Sequence, residues 1–176
     1  MGYTGIPLYE PKSYSDLEEF IKFSSELFTG LIGSKFNGYY AVFDELDQYI
    51  SESPIILKFN NTAIEISTEQ SEMISLTKNH IDLSWKIDWY DEKKYFWKET
   101  GIEFLDALID NTLQKIEICY LDWGTEIGKS IHGLIFTIGG SEILIVANDE
   151  ILITEPSKTL TPEHVSVERI TVANTA

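Results

Sequence analysis

Cysteine is nearly missing from this chain. Cys119 stands alone among 176 residues, so an internal disulfide and a Cys-x-x-Cys metal site are both excluded. Arginine is as scarce, with Arg169 set against twelve lysines. No apolar run approaches the roughly 20 residues that span a bilayer. The start carries no basic region followed by an apolar run, so no signal peptide is expected. The three histidines, His80, His132 and His164, lie far apart, and none has a second ligand at helical or strand-alternate spacing. Gly30-Leu31-Ile32-Gly33-Ser34-Lys35 departs from the GxxxxGK[ST] order and follows a helical pattern, so it is no phosphate loop. GxSxG and EF-hand patterns are also missing. The expectation is a chain with no metal and no cofactor.

Acidic side chains are abundant. There are 29 against 13 basic ones, a formal net charge of −16 and a pI near 4.4. The excess runs along the whole chain rather than forming a tail. Such a surface repels a phosphate backbone, which argues against nucleic-acid binding. It attracts a basic protein and speeds that encounter. A hydrophobic fraction of 43% and an aromatic fraction of 12% supply a sizeable core and exclude disorder. Together these features predict a cytoplasmic protein without membrane association.

Ser15-Asp16-Leu17-Glu18 fits a capping box, with serine as N-cap. Leu17, Phe20, Ile21, Ser24, Leu27 and Phe28 then recur at helical spacing, with Gly30 and Gly33 as stops. From Phe36 onward the pattern is of strands. Ile55–Phe59 and Thr62–Ser67 flank Asn60-Asn61, and Gly133–Ile138 and Glu142–Ala147 flank Gly139-Gly140, both hairpin signatures. His80–Tyr90 alternates strictly, with Ile81, Leu83, Trp85, Ile87 and Trp89 on one side, and predicts a half-buried strand that sends Trp85 and Trp89 into the core. The fold class expected is α+β, strand-rich, with a mainly antiparallel sheet and an N-terminal helix.

The chain also resembles itself. Residues 27–67 lie over 104–147 as two pseudo-repeats, at a shift of 77 that becomes 80 after three extra residues in the second turn. Phe36 falls on Leu113, Tyr39 on Ile116, Ala41 on Ile118, Leu57 on Leu134 and Phe59 on Phe136. Apolar positions match and polar ones drift, so what is repeated is core. This gives one domain, 1–176, of two similar halves, about 14–78 and 99–155. An aromatic-rich strand and linker at 80–98 joins them, and 156–176 is an extension.

That linker has no counterpart in either half. Trp85, Trp89, Tyr90, Tyr95, Phe96 and Trp97 crowd into it, among Asp88, Asp91, Glu92, Lys93, Lys94 and Lys98. Tryptophan and tyrosine dominate protein-binding hot spots. The expected binding surface takes its charge from Glu45, Asp47, Asp88, Asp91 and Glu92, and its apolar anchors from Tyr90 and Trp97. No catalytic residue is expected.

The second half reads Phe104-Leu105 … Leu108-Ile109 … Ile116 … Ile118, then Gly133-Leu134-Ile135-Phe136, then Leu144-Ile145-Val146-Ala147-Asn148-Asp149-Glu150. Over about residues 103–153 this resembles the immunity proteins encoded beside polymorphic or contact-dependent bacterial toxins. The resemblance implies a non-catalytic protein that binds a basic cognate toxin domain and occludes it. The matched positions are core and turn, so it carries no contact residues over. Two other readings share the composition: an acidic nucleic-acid mimic, and a small enzyme with a carboxylate-lined pocket.

Overall fold

Asp16, not Ser15, caps the first helix. Its carboxylate accepts from Glu19 N at 2.7 Å, a shorter reach than the serine offers one residue earlier. The computed structural model describes residues 5–68, 73–89, 91–125, 128–148, 150–158 and 165–174. Helix α1 (Leu17–Phe28) buries Leu17, Phe20, Ser24 and Phe28, the stripe that its 3.6-residue period dictates. No helix among the described residues is long and apolar enough to cross a membrane.

The remaining elements are β1 (Ser13–Tyr14), β2 (Phe36–Asp44), β3 (Ile55–Phe59), β4 (Thr62–Thr68), β5 (Ile74–Lys78) and β6 (Tyr95–Lys98). A short helix α2 (Glu103–Asp106) is followed by β7 (Leu113–Asp122), β8 (Lys129–Ile138), β9 (Ser141–Asn148), β10 (Glu150–Thr154) and β11 (Ser166–Asn174). They form two antiparallel sheets, ordered β1-β5-β4-β3-β2-β6 and β10-β9-β8-β7-β11. The fold is thus strand-dominated α+β. Both predicted hairpins are present, turning at Asn60-Asn61 and Gly139-Gly140. Inner-face side chains of both sheets share one core, in which the Phe136 ring stacks near Phe59 at 6.2 Å and meets Phe28 edge-on at 6.0 Å.

Each sheet holds a four-stranded meander whose first strand is flanked by the strand that follows the meander: β6 beside β2, β11 beside β7. Both first strands bulge at the same place, between Phe36 and Gly38 and between Leu113 and Lys115. Leu57 and Phe59 pair with Tyr39 and Phe36, while Phe136 and Ile138 pair with Ile116 and Leu113. The hairpin positions therefore correspond at a shift of 79, and the extra residues lie before the hairpin rather than in its turn. The junction of the halves has the same logic. Gly33 N donates to Leu113 O and Asp110 N to Phe36 O, both at 2.8 Å; Leu113 N donates to Ser34 O at 2.9 Å and Phe36 N to Asn111 O at 2.8 Å. Within each pair the residues are exchanged by a shift of 77. Gly33 and Asp110 share a positive φ, 84° and 73°, a conformation that glycine adopts freely and aspartate tolerates.

The helices cross over between sheets. Helix α1, which lies between β1 and β2 of the first sheet, packs on its neighbour β1 and also on β7, β8 and β11 of the second sheet, and α2 packs on β2 of the first. Tyr39 OH fixes α2 by accepting from Ile102 N and donating to Asp106 Oδ1, both at 2.8 Å.

Candidate functional site

Because β5 and β6 lie on opposite sides of three strands, the chain between them must cross a face of the first sheet. Glu65 pins that crossing. Its neighbours Ile64 and Ile66 point into the core, so its own side chain leaves by the outer face. There, fully buried, its Oε1 accepts from His80 N at 2.8 Å and Ile81 N at 3.2 Å, and its Oε2 from Thr77 Oγ at 2.7 Å. Thr77 Oγ in turn lies 3.0 Å from Tyr9 OH, whose burial pushes its pKa up to about 12. Farther on, Asp88 N donates to Gly5 O at 2.7 Å and the Trp89 indole lies against Gly5.

Residues 80–89 are therefore a strap and not the strand their alternation predicts. Trp85 N donates to Asp82 O at 2.9 Å, so a turn interrupts the segment, and its backbone has no ladder partner among the described residues. Trp85 and Trp89 are half-buried and Leu83 is exposed, so the tryptophans cover the outer face instead of filling the main core. Tyr90, one of the two expected anchors, lies outside the described residues.

The strap ends in β6, whose four residues pair with the end of β2: Lys98 with Ala41, Trp97 with Val42, Phe96 with Phe43, Tyr95 with Asp44. No strand among the described residues covers the other edge of β6. Beyond β2 the buried Asp44 shapes a tight turn, its Oδ1 accepting from Leu46 N and Gln48 N at 2.9 Å each. That turn leaves Glu45, Leu46 and Asp47 exposed beside β6.

Sequence order hides this proximity, but the fold brings the expected acids together and gives most of them partners. Asp47 meets Lys98, and Asp88 meets Lys86 at 2.6 Å. Asp91 accepts from Tyr95 OH at 2.7 Å and from Lys93 N at 3.2 Å. That bond, in which the protonated phenol donates to a carboxylate, pushes Tyr95 up to about 12. Glu45 and Glu92 are exposed and make no ion pair among the described residues. Trp97 is half-buried, and its Nε1 meets no acceptor among the described residues.

Between strap and β6 runs an open groove of about 530 Å³, lined by Trp85, Lys86 and Ile87 on one wall and Tyr95, Phe96 and Trp97 on the other, with Lys93 and Lys94 at its end. Phe96, Lys93 and Lys94 are visible in the sequence of this stretch but stand outside the expected binding surface, and Lys86 joins them in the groove. The signal was present: four of the twelve lysines, Lys86, Lys93, Lys94 and Lys98, fall within thirteen positions.

The second sheet carries the other polar cluster. Glu117 Oε2 lies 2.9 Å from Lys115 Nζ and 3.7 Å from Arg169, which also meets Glu142 at 2.9 Å. Nearby, burial pushes the Cys119 thiol up to about 11 and holds the His132 imidazole below its ordinary range. Burial thus moves the cysteine away from thiolate character, opposite to what a nucleophile needs. His80 packs edge-on to Tyr9 and Trp85, and His164 lies outside the described residues. Among the described residues no three histidine, cysteine or carboxylate groups are placed to hold a metal ion.

Compared with known proteins, the chain matches no family model, no curated protein and no solved structure.

Proposed function

We propose that this chain is a non-catalytic binding protein of the immunity kind, which occludes a basic protein partner through the surface around β6. One observation carries the reading. A four-residue edge strand, with no strand among the described residues on its outer side, carries the exposed Phe96 and lies beside an exposed acidic turn. Aromatic side chains at an uncovered edge are costly to leave in water and rewarding to bury against a partner. Around them six carboxylates, at Asp44, Glu45, Asp47, Asp88, Asp91 and Glu92, outnumber the four lysines, so the patch keeps the acidic sign of the whole chain. That field favours a basic partner and a fast encounter.

The test pairs this chain with the products of its neighbouring genes. Recovery of one stoichiometric basic protein whose toxicity the chain abolishes is the expected result. The double variant Glu45→Lys/Glu92→Lys then slows association and flattens its salt dependence. Unchanged rates would move the contact surface elsewhere. Absence of any protection would remove the immunity reading.

A further inference from the structure

We infer that the groove along β6 takes an extended segment of the partner as an added strand, one carrying carboxylates between apolar side chains. The inference rests on the binding reading above and specifies what enters the surface. Side chains of a strand leave alternately by opposite faces. Three consecutive residues, Tyr95, Phe96 and Trp97, can share one groove only if it runs along the strand's edge. The groove therefore follows the N–H and C=O groups of β6 that β2 does not use. Main-chain pairing at such an edge supplies affinity, and side pockets supply selectivity. A volume of about 530 Å³ falls within the range of ligand clefts, and four residues of strand extend about 13 Å.

The charges choose the occupant. Of the side chains lining the groove, three are lysines, Lys86, Lys93 and Lys94, and none is a carboxylate. Lys94 makes no ion pair among the described residues, and Lys93 stands 4.0 Å from the buried Asp44. Glu45 and Glu92, which make no ion pair among the described residues, do not line it. The surface is thus lysine and aromatic at its centre, with acids outside. Its complement is a partner with a basic surface around an acidic, apolar strand. The pattern also discriminates: a lysine-bearing strand would meet the like charge of Lys94, which has no ion pair among the described residues, while Lys86 and Lys93 already face Asp88 and Asp44.

The experiment titrates the full chain, labelled with nitrogen-15, with three synthetic heptapeptides. One alternates valine and glutamate, one alternates valine and lysine, and the third is the glutamate peptide N-methylated on alternate amides. The expected result is that the glutamate peptide alone shifts the Tyr95–Lys98 amide signals. Its affinity falls about tenfold in Lys93→Glu/Lys94→Glu, the loss of two partly exposed ion pairs. Equal binding of the N-methylated peptide would overturn strand addition. Preference for the lysine peptide, or shifts confined to other residues, would overturn the assigned occupant. If no peptide shifts β6 while Glu45→Lys/Glu92→Lys still weakens the natural partner, strand addition fails and the binding function stands.

Discussion

Removing the Glu65 carboxyl group should release the strap. In Glu65→Ala the fully buried carboxylate is removed and three half-covered donors lose their acceptor: the amides of His80 and Ile81 and the Thr77 hydroxyl. Each unsatisfied buried donor costs roughly 1–3 kcal/mol, less whatever water recovers when the strap lifts. A net loss of about 3 kcal/mol follows, which for a chain of this length lowers Tm by roughly 6–12 °C. Glu65→Gln is the informative partner. Its amide oxygen still accepts from both backbone amides and its NH2 still reaches Thr77 Oγ, so it should cost less than about 1 kcal/mol. Thermal unfolding followed by circular dichroism gives the magnitudes. Amide exchange gives the mechanism, with His80 and Ile81 protected in the parent and in Glu65→Gln but not in Glu65→Ala. Equal losses for the two variants, or fast exchange of both amides in the parent, would refute the anchoring role.

Three further outcomes are expected. Gly133→Ala would place its Cβ 2.1 Å from Ile145 O on the neighbouring strand; backbone cannot yield there, so urea unfolding should show a loss of about 3 kcal/mol. Cys119, with its thiol pushed up to about 11, should resist a disulfide reagent at pH 8 in the native chain and react once unfolded; rapid native reaction would contradict its burial. His132 is held below its ordinary value of 6.5 by burial, so the unfolded chain takes up a proton that the folded chain refuses. Its contribution to stability is complete above 6.5 and is lost as the pH falls through the depressed value; His132→Asn should flatten the stability curve there.

Much of the fold was legible because it rests on local signals. Asparagine and glycine pairs mark the hairpins, and the helical stripe from Leu17 to Phe28 has a single period. The strap was not legible, because period-two alternation reports which side of a chain is covered and is silent on whether its backbone has a ladder partner. The cap was misplaced by one residue because Ser15 and Asp16 are both good N-caps. At the candidate site the acids and the lysines around them were named, but not which meet: Asp47 and Lys98 come together through the β2–β6 pairing, 51 positions apart. Only topology sets such a pair.

The exchange of helices between the halves has a consequence for the order of events at synthesis. The apolar stripe of α1 is made among the first 28 residues, yet its partners include β11 at 166–174. The part of that stripe that β11 covers stays exposed until almost the last strand has emerged. Contacts so distant in sequence are slow to close, and exposed apolar surface invites misassociation meanwhile. The first sheet cannot serve as a finished platform on which the second is laid. Both halves must wait for each other, and loss of β11 would strip β7 of a neighbouring strand and reach α1 as well.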